Sequence, residues 1–175
     1  KLSSGQVLVR TIAFAITAGA RAGLQGSASY AGVAKTDVVM RGTGVGEVIA
    51  STNAHIPVGS KVLGPTGWQE YAALNTELLT LIPESCDPLK YIGPLGINGL
   101  AAYFGLLKAG RPIIGETVLV SSAAGSVGHF VGQMAKIIGC KVVGVTGADK
   151  KGERLINELG FDAAINYKSA NFRKD

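Results

Sequence analysis

The segment from Thr117 to Thr146 contains the pattern that most restricts the fold of this chain. Thr117–Val120 is a short apolar run typical of a buried strand, and Lys141–Thr146 is a second, β-branched run of the same kind. Between them apolar residues recur at helical spacing, and Gly139 follows as a helix stop. The stripe comprises Val127, Phe130, Val131, Met134, Ala135 and Ile138. Strand, turn, helix and strand within about 30 residues predict a βαβ unit.

The turn between the first strand and the helix is built from small residues. It reads Ser121-Ser-Ala-Ala-Gly-Ser-Val-Gly128, so that Ala123, Gly125 and Gly128 match a G-x-G-x-x-G fingerprint with alanine at its first position. Small residues there permit a tight turn, close approach to a pyrophosphate and close helix–strand packing. The turn predicts a dinucleotide site formed by Gly125, Ser126, Val127 and Gly128. The alternative is an ordinary βαβ unit without nucleotide, since 25 of the 175 residues are glycine.

The end of the second strand indicates which dinucleotide is preferred. NAD sites usually carry a carboxylate about 20 residues after the glycines, but this chain has Thr146-Gly147-Ala148 there. Asp149 then serves as the predicted N-cap of a second helix, with Lys150 and Lys151 in its first turn. Because the helix macrodipole disfavours cations there by roughly 0.3–1 kcal/mol each, the lysines make sense beside an anion such as an adenosine 2′-phosphate. We therefore expect NADPH and include Gly147 and Lys151 in its site; the alternative is a solvated basic turn.

Tyr167 ends a third predicted strand, residues 162–167. In a parallel sheet this position is at the carboxyl edge, where ligands of open α/β sheets bind. The ring could pack on the adenosine end of the cofactor or simply cap the strand, and position alone does not distinguish the two.

The first half of the chain has a different pattern of predicted secondary structure. Short strands are predicted at 6–14, 45–50, 61–63 and 68–74, separated by turns rich in Gly, Pro, Ser and Asn. No element is assigned to the Gly-, Ala- and Ser-rich segment 19–32, and helical pattern resumes at Gly99–Leu107. We predict two domains, 1–90 and 91–175, with Asp87-Pro88 near the passage between them.

Composition excludes several classes of protein. With 47% hydrophobic and 17% charged residues the chain is globular, and it lacks both an apolar run of membrane-spanning length and a signal peptide, so a cytoplasmic protein is expected. The net charge of +5 comes from scattered residues that are not interleaved with aromatics, which argues against nucleic acid. Cys86, Cys140, His55 and His129 are isolated from one another in sequence, so no metal site is expected.

Several of these segments together resemble one family. They are Gly99–Leu107, Ala123–Gly128, Val131–Lys136, Gly139–Gly144, Leu159–Asp162, Asn166–Lys168 and, in the first half, Val62–Tyr71. The chain resembles the zinc-independent branch of the medium-chain dehydrogenase/reductases that contains prostaglandin reductase, plant alkenal double-bond reductases and bacterial curcumin reductase. The resemblance implies an α/β fold, in which a GroES-like β-rich domain precedes a Rossmann domain that is only about half present. It also implies that Gly125–Gly128 hold the NADPH pyrophosphate, that Lys151 meets the 2′-phosphate, and that Tyr167 lies by the adenosine.

The activity implied by the resemblance is NADPH-dependent reduction of the carbon–carbon double bond of α,β-unsaturated ketones and aldehydes, without zinc. The groups that stabilise the resulting enolate come, in this family, largely from the cofactor ribose and from residues beyond this chain, so no catalytic residue is assigned. The expected partners are an enone or enal substrate and a second copy of the chain, with no nucleic acid and no membrane. Two alternatives are a zinc-free NADPH quinone reductase, which Trp68–Tyr71 disfavours, and a non-catalytic NADPH-binding regulatory protein.

The chain also departs from the family in three ways. Ala18–Arg21 stands where the family often has Asp-Pro-Tyr-Met-Arg, and Ile97–Ala101 where it has Met-Pro-Gly-Leu-Thr, which leaves the substrate range open. The family is roughly twice as long, and a doubly wound domain needs about six strands where this chain supplies three. We therefore expect a fragment or a truncated product of a longer enzyme, from which a targeting segment could also have been lost.

Overall fold

The computed structural model describes residues 1–25, 36–170 and 172. The chain divides into two compact units, Lys1–Gly93 and Pro94–Asp175. Each unit has its own hydrophobic core. None of the helices within the described residues is long and apolar enough to cross a membrane.

The N-terminal unit is built on a five-stranded antiparallel sheet in the order β4-β1-β2-β3-β5. Alternate residues of its strands face the core, and Val7, Val9, Val48 and Val62 are completely buried. The sheet consists of β1 (Gln6–Phe14), β2 (Gly44–Ser51), β3 (Lys61–Gly64), β4 (Tyr71–Asn75) and β5 (Thr80–Ile82).

The sequence predicted four of these strands and missed smaller features. The strand predicted from residue 68 begins only at Tyr71, because Gly67 has a φ of +67° and the Gln69 side chain donates to the Thr66 carbonyl over 2.8 Å. The short β5 was not predicted, nor was helix α1 (Ala18–Gln25) in the segment left unassigned. The rest of that segment, from residue 26 to 32, lies outside the described residues.

The C-terminal unit contains a three-stranded parallel sheet in the order β6-β7-β8. Its core is formed mainly by the sheet and the helices packed on it, with Val120, Ala135, Val142, Leu155 and Phe161 buried. The elements are α2 (Ile97–Phe104), continued by a π-helical segment (Gly105–Gly110), then β6 (Thr117–Val120), α3 (Gly128–Ile138), β7 (Lys141–Thr146), α4 (Asp149–Leu159) and β8 (Ala163–Asn166).

The predicted βαβ unit is confirmed. Both strands have the predicted bounds, and α3 ends at Gly139, whose φ of +95° is the left-handed conformation expected of a helix stop. Val127 differs from the prediction, because it precedes the helix and is 37% exposed instead of joining the buried stripe. The structure therefore has a β-rich unit followed by part of a Rossmann-like parallel sheet.

Candidate functional site

Three chain segments meet at the carboxyl edge of the parallel sheet. The turn after β6 is tied to β7 by the Ala123 amide, which donates to the Val145 carbonyl over 3.0 Å. The segment after β8 is tied to the same strand by the Tyr167 amide, which donates to the Thr146 carbonyl over 3.0 Å. β7 itself leads into Gly147. The predicted phosphate turn therefore lies beside the end of β7, and the end of β8 lies on the other side of that strand.

The turn after β6 presents backbone donors at the start of α3. Ser122 has a φ of +47°, and the Gly125 amide closes the turn by donating to the Ser122 carbonyl over 2.8 Å. Within the part of the chain that the structure describes, the amides of Ser126, Val127 and Gly128 donate to no acceptor. Unpaired N–H groups at a helix N-terminus, together with the helix macrodipole, favour a bound anion.

The two glycines of the turn face different surroundings. A Cβ on Gly128 would lie 2.5 Å from the Ser122 carbonyl oxygen and 2.8 Å from the Ala123 Cα, so α3 crosses the turn too closely for any side chain. A Cβ on the exposed Gly125 would meet only the Ser122 oxygen, at 3.0 Å. Gly128 is thus required by internal packing, whereas Gly125 leaves the outer surface of the turn open.

Ala123, at the first position of the fingerprint, lies in the interior of the fold. It is fully buried, and a Cβ on Gly144 of β7 would lie 2.9 Å from the Ala123 Cβ. The space between the turn and β7 therefore accepts a methyl group at residue 123 because residue 144 has none.

The start of α4 carries exposed positive charge. Lys150 and Lys151 are exposed, and neither forms an ion pair with any residue that the structure describes. The prediction that Asp149 is the N-cap is wrong: Ala148, in extended conformation, is the N-cap, and Asp149 is the first helical residue. The Asp149 carboxylate instead accepts a hydrogen bond from the Asn166 side chain over 2.8 Å, which links α4 to the end of β8.

Tyr167 covers the loop after β7. A Cβ on Gly147 would lie 3.1 Å from the Tyr167 hydroxyl oxygen and 3.2 Å from its Cε1, so the ring lies against the glycine backbone. The ring is still 50% exposed. The Lys168 Nζ lies 5.8 Å from its centroid and adds a further cation near this edge. Lys168 was not among the predicted site residues, although it directly follows Tyr167 in a quoted segment.

The ionisable groups with perturbed pKa lie away from this edge. Hydrogen bonding to Lys136 holds the pKa of Asp162 below its ordinary value, and the Val142 amide acts in the same direction. In the N-terminal unit, Lys61 and Arg10 lower the pKa of Glu47. Among the described residues, no three His, Cys, Asp or Glu side chains are grouped closely enough to hold a metal ion. These ion pairs act as links between structural elements.

Two family models match the chain. The model described as the N-terminal domain of oxidoreductase matches residues 1–82, and the model described as zinc-binding dehydrogenase matches residues 126–175. The second match begins within the turn, at Ser126, and includes the ends of β7 and β8 described above.

Curated relatives and a solved structure agree with these matches. A putative NADP-dependent oxidoreductase, YfmJ, of Bacillus subtilis is 45% identical over 95% of this chain and 49% of its own length. The NADPH-dependent curcumin reductase of Escherichia coli is 37% identical over 96% of the chain and 49% of its own length. The NADP(+)-dependent 2-alkenal reductase of Nicotiana tabacum is 44% identical over 73% of the chain and 38% of its own length.

The crystal structure of CurA from Vibrio vulnificus in complex with NADPH superposes with a TM-score of 0.88 and 36% identity, over 98% of this chain and 51% of that one. The chain thus spans about half the length of the first curated relatives that it matches. It belongs to the zinc-independent branch of the medium-chain dehydrogenase/reductase family.

Proposed function

We propose that the carboxyl edge of the parallel sheet binds NADPH, and that the protein at its full natural length uses it to reduce the carbon–carbon double bond of α,β-unsaturated ketones and aldehydes. The observation that carries the proposal is that, among the described residues, three amides at the start of α3 have no hydrogen-bond acceptor and two lysines at the start of the neighbouring α4 have no ion-pair partner. The printed names of relatives supply the reaction class, since they include a curcumin reductase and a 2-alkenal reductase.

The donors at the phosphate turn suit a diphosphate. The amides of Ser126, Val127 and Gly128 are neutral donors of the backbone, so they can donate directly to phosphate oxygens. The outward face of Gly125 carries no side chain, which leaves the backbone accessible to the ligand. In this proposal Gly125–Gly128 hold the pyrophosphate.

The neighbouring loop suits the phosphorylated adenosine end. Lys151 is assigned to the 2′-phosphate, because its ammonium is exposed and free of an ion pair with any described residue. Gly147 and Tyr167 are assigned to the adenosine, against which the exposed half of the ring can pack. The Asp149 carboxylate is engaged by Asn166 and does not replace the missing ribose-binding carboxylate of an NAD site.

The bound cofactor would supply a hydride to the substrate. The residues of this chain would bind and orient it by its phosphates and adenosine, and no proton donor is assigned within the chain. The predicted division of roles, with a substrate domain over residues 1–90 and a cofactor domain over residues 91–175, is part of the same proposal. The proposal also includes a homodimeric state, which light scattering tests, and a cytoplasmic location, which cell fractionation tests.

The test is turnover by the purified protein at its full natural length. Oxidation of NADPH and of NADH is followed at 340 nm with a panel of enones and enals, a panel of quinones, and no acceptor. We expect turnover with NADPH and enones, with the saturated carbonyl as product by mass spectrometry. Turnover with quinones alone would assign the quinone reductase alternative, and NADPH binding without turnover on any acceptor would assign the regulatory one.

A further inference from the structure

His129 makes a double contact with the phosphate turn. It is the second residue of α3, and its Nδ1 lies 2.7 Å from the Gly125 carbonyl oxygen. The His129 amide donates to the same oxygen over 3.2 Å. Because a carbonyl oxygen only accepts, Nδ1 carries a hydrogen in this contact.

This contact controls the orientation of a proposed phosphate donor. The Gly125 carbonyl and the Ser126 amide belong to one planar trans peptide unit, so the two groups point in opposite directions. Holding the carbonyl oxygen against His129 therefore turns the Ser126 N–H away from α3 and outward from the turn. The unpaired state of that N–H among the described residues agrees with this arrangement.

We propose that His129 is a positioning residue of the phosphate turn, an inference that rests on the proposed NADPH site. The hydrogen on its Nδ1 holds the Gly125 carbonyl oxygen and thereby directs the Ser126 amide toward the pyrophosphate. Cofactor affinity then depends on a hydrogen-bond donor at the position of Nδ1.

No described residue of the surrounding elements makes a hydrogen bond or an ion pair with the His129 side chain apart from Gly125. The turn and β6 contain no ionisable side chain, and Lys136, on α3 itself, is paired with Asp162. The ring packs instead on Phe130, with centroids 4.0 Å apart.

The experiment measures NADP+ binding by calorimetry with the protein at its full natural length. His129→Asn places an amide nitrogen donor where Nδ1 lies, whereas His129→Ala removes the side-chain hydrogen bond. His55→Asn replaces a histidine outside the proposed site and serves as the matched control.

We expect His129→Ala to bind NADP+ about threefold to tenfold more weakly than the wild type, because one hydrogen bond is lost. His129→Asn should restore most of the wild-type affinity, and His55→Asn should not differ from the wild type. Nitrogen NMR of the wild type should show a hydrogen on Nδ1 of His129.

Two results would overturn the inference. If the wild type binds NADP+ and His129→Ala matches it, His129 has no positioning role, while the proposed function stands. If the wild type binds no NADP+, both this inference and the NADPH site fail.

Discussion

Replacing Gly128 with alanine tests the internal packing of the phosphate turn. The added Cβ would lie 2.5 Å from the Ser122 oxygen, 0.9 Å short of the 3.4 Å at which ordinary contact begins, and 2.8 Å from the Ala123 Cα. Both are backbone atoms, so α3 or the turn must shift. Overpacking of this kind costs about 1–3 kcal/mol, and the better helix propensity of alanine offsets at most about 1 kcal/mol. We expect a net destabilisation of about 1–2 kcal/mol.

Gly125 provides the matched control in the same turn. Its added Cβ would meet only the Ser122 oxygen, at 3.0 Å, which is 0.4 Å short of ordinary contact compared with 0.9 Å for Gly128. Because the position is also exposed, Gly125→Ala should destabilise the protein less than Gly128→Ala does. The larger Gly125→Val should also fold, but its side chain would occupy the surface that a pyrophosphate must approach. We expect loss of NADP+ binding without loss of the fold.

The assay combines thermal unfolding, amide hydrogen exchange and NADP+ titration of the protein at its full natural length. Gly128→Ala should lower the melting temperature by about 2–6 °C and speed exchange in β6 and α3, whereas Gly125→Ala should have a smaller effect on both. If Gly128→Ala is as stable as the wild type and Gly125→Ala is not, the packing described for this turn is wrong. If Gly125→Val keeps its NADP+ affinity, the turn is only structural.

Three further substitutions test the surroundings of the turn. Lys151→Ala should weaken NADP+ binding about tenfold and leave NAD+ binding nearly unchanged, as measured by titration; equal losses would remove the 2′-phosphate role. Asp162→Asn should lower stability at pH 7, because the hydrogen bond from Lys136 lowers the pKa of that carboxyl from 3.8 and the stabilisation is lost progressively as the pH falls below this value; unfolding curves at pH 7 and at about pH 3 should show the difference shrink. Gly147→Ala places a Cβ 3.1 Å from the Tyr167 hydroxyl oxygen, so it should displace the exposed ring and weaken NADP+ binding while the protein stays folded; unchanged affinity would exclude the ring from the site.

The βαβ unit was predictable because its signals are local. Each strand is a continuous apolar run, and the helix between them ends at a glycine in the left-handed conformation. The Asp149 error shows where local signals stop: aspartate is a preferred N-cap, but here its carboxylate is held by Asn166, 17 residues later. A residue that can cap a helix can also bind a neighbouring strand end, and only the folded structure decides between them.

In the N-terminal unit, too, prediction from the sequence failed for elements that depend on distant contacts. β1 was predicted with its exact bounds because it is long, whereas the three residues of β5 form a strand only through pairing with β3. The residues of α1 include three glycines or alanines in succession and no acidic residue in the first turn, so their spacing gave no helical signal. The capping residue was overlooked: the Thr17 hydroxyl accepts a hydrogen bond from the Ala20 amide over 3.2 Å. Short elements of this kind depend on tertiary contacts that a single sequence does not display.

The three small positions of the turn serve distinct purposes, which explains why the motif alone was weak evidence for a ligand. Ala123 and Gly128 are small because β7 and α3 pack closely on them, a requirement that any tightly packed βαβ unit shares. Gly125 is the position whose surroundings are open, so its lack of a side chain is not required to the same degree by packing. A fingerprint match therefore mixes packing residues with ligand-facing ones, and the nucleotide prediction depends on Gly125, the free amides after it and the lysines of α4.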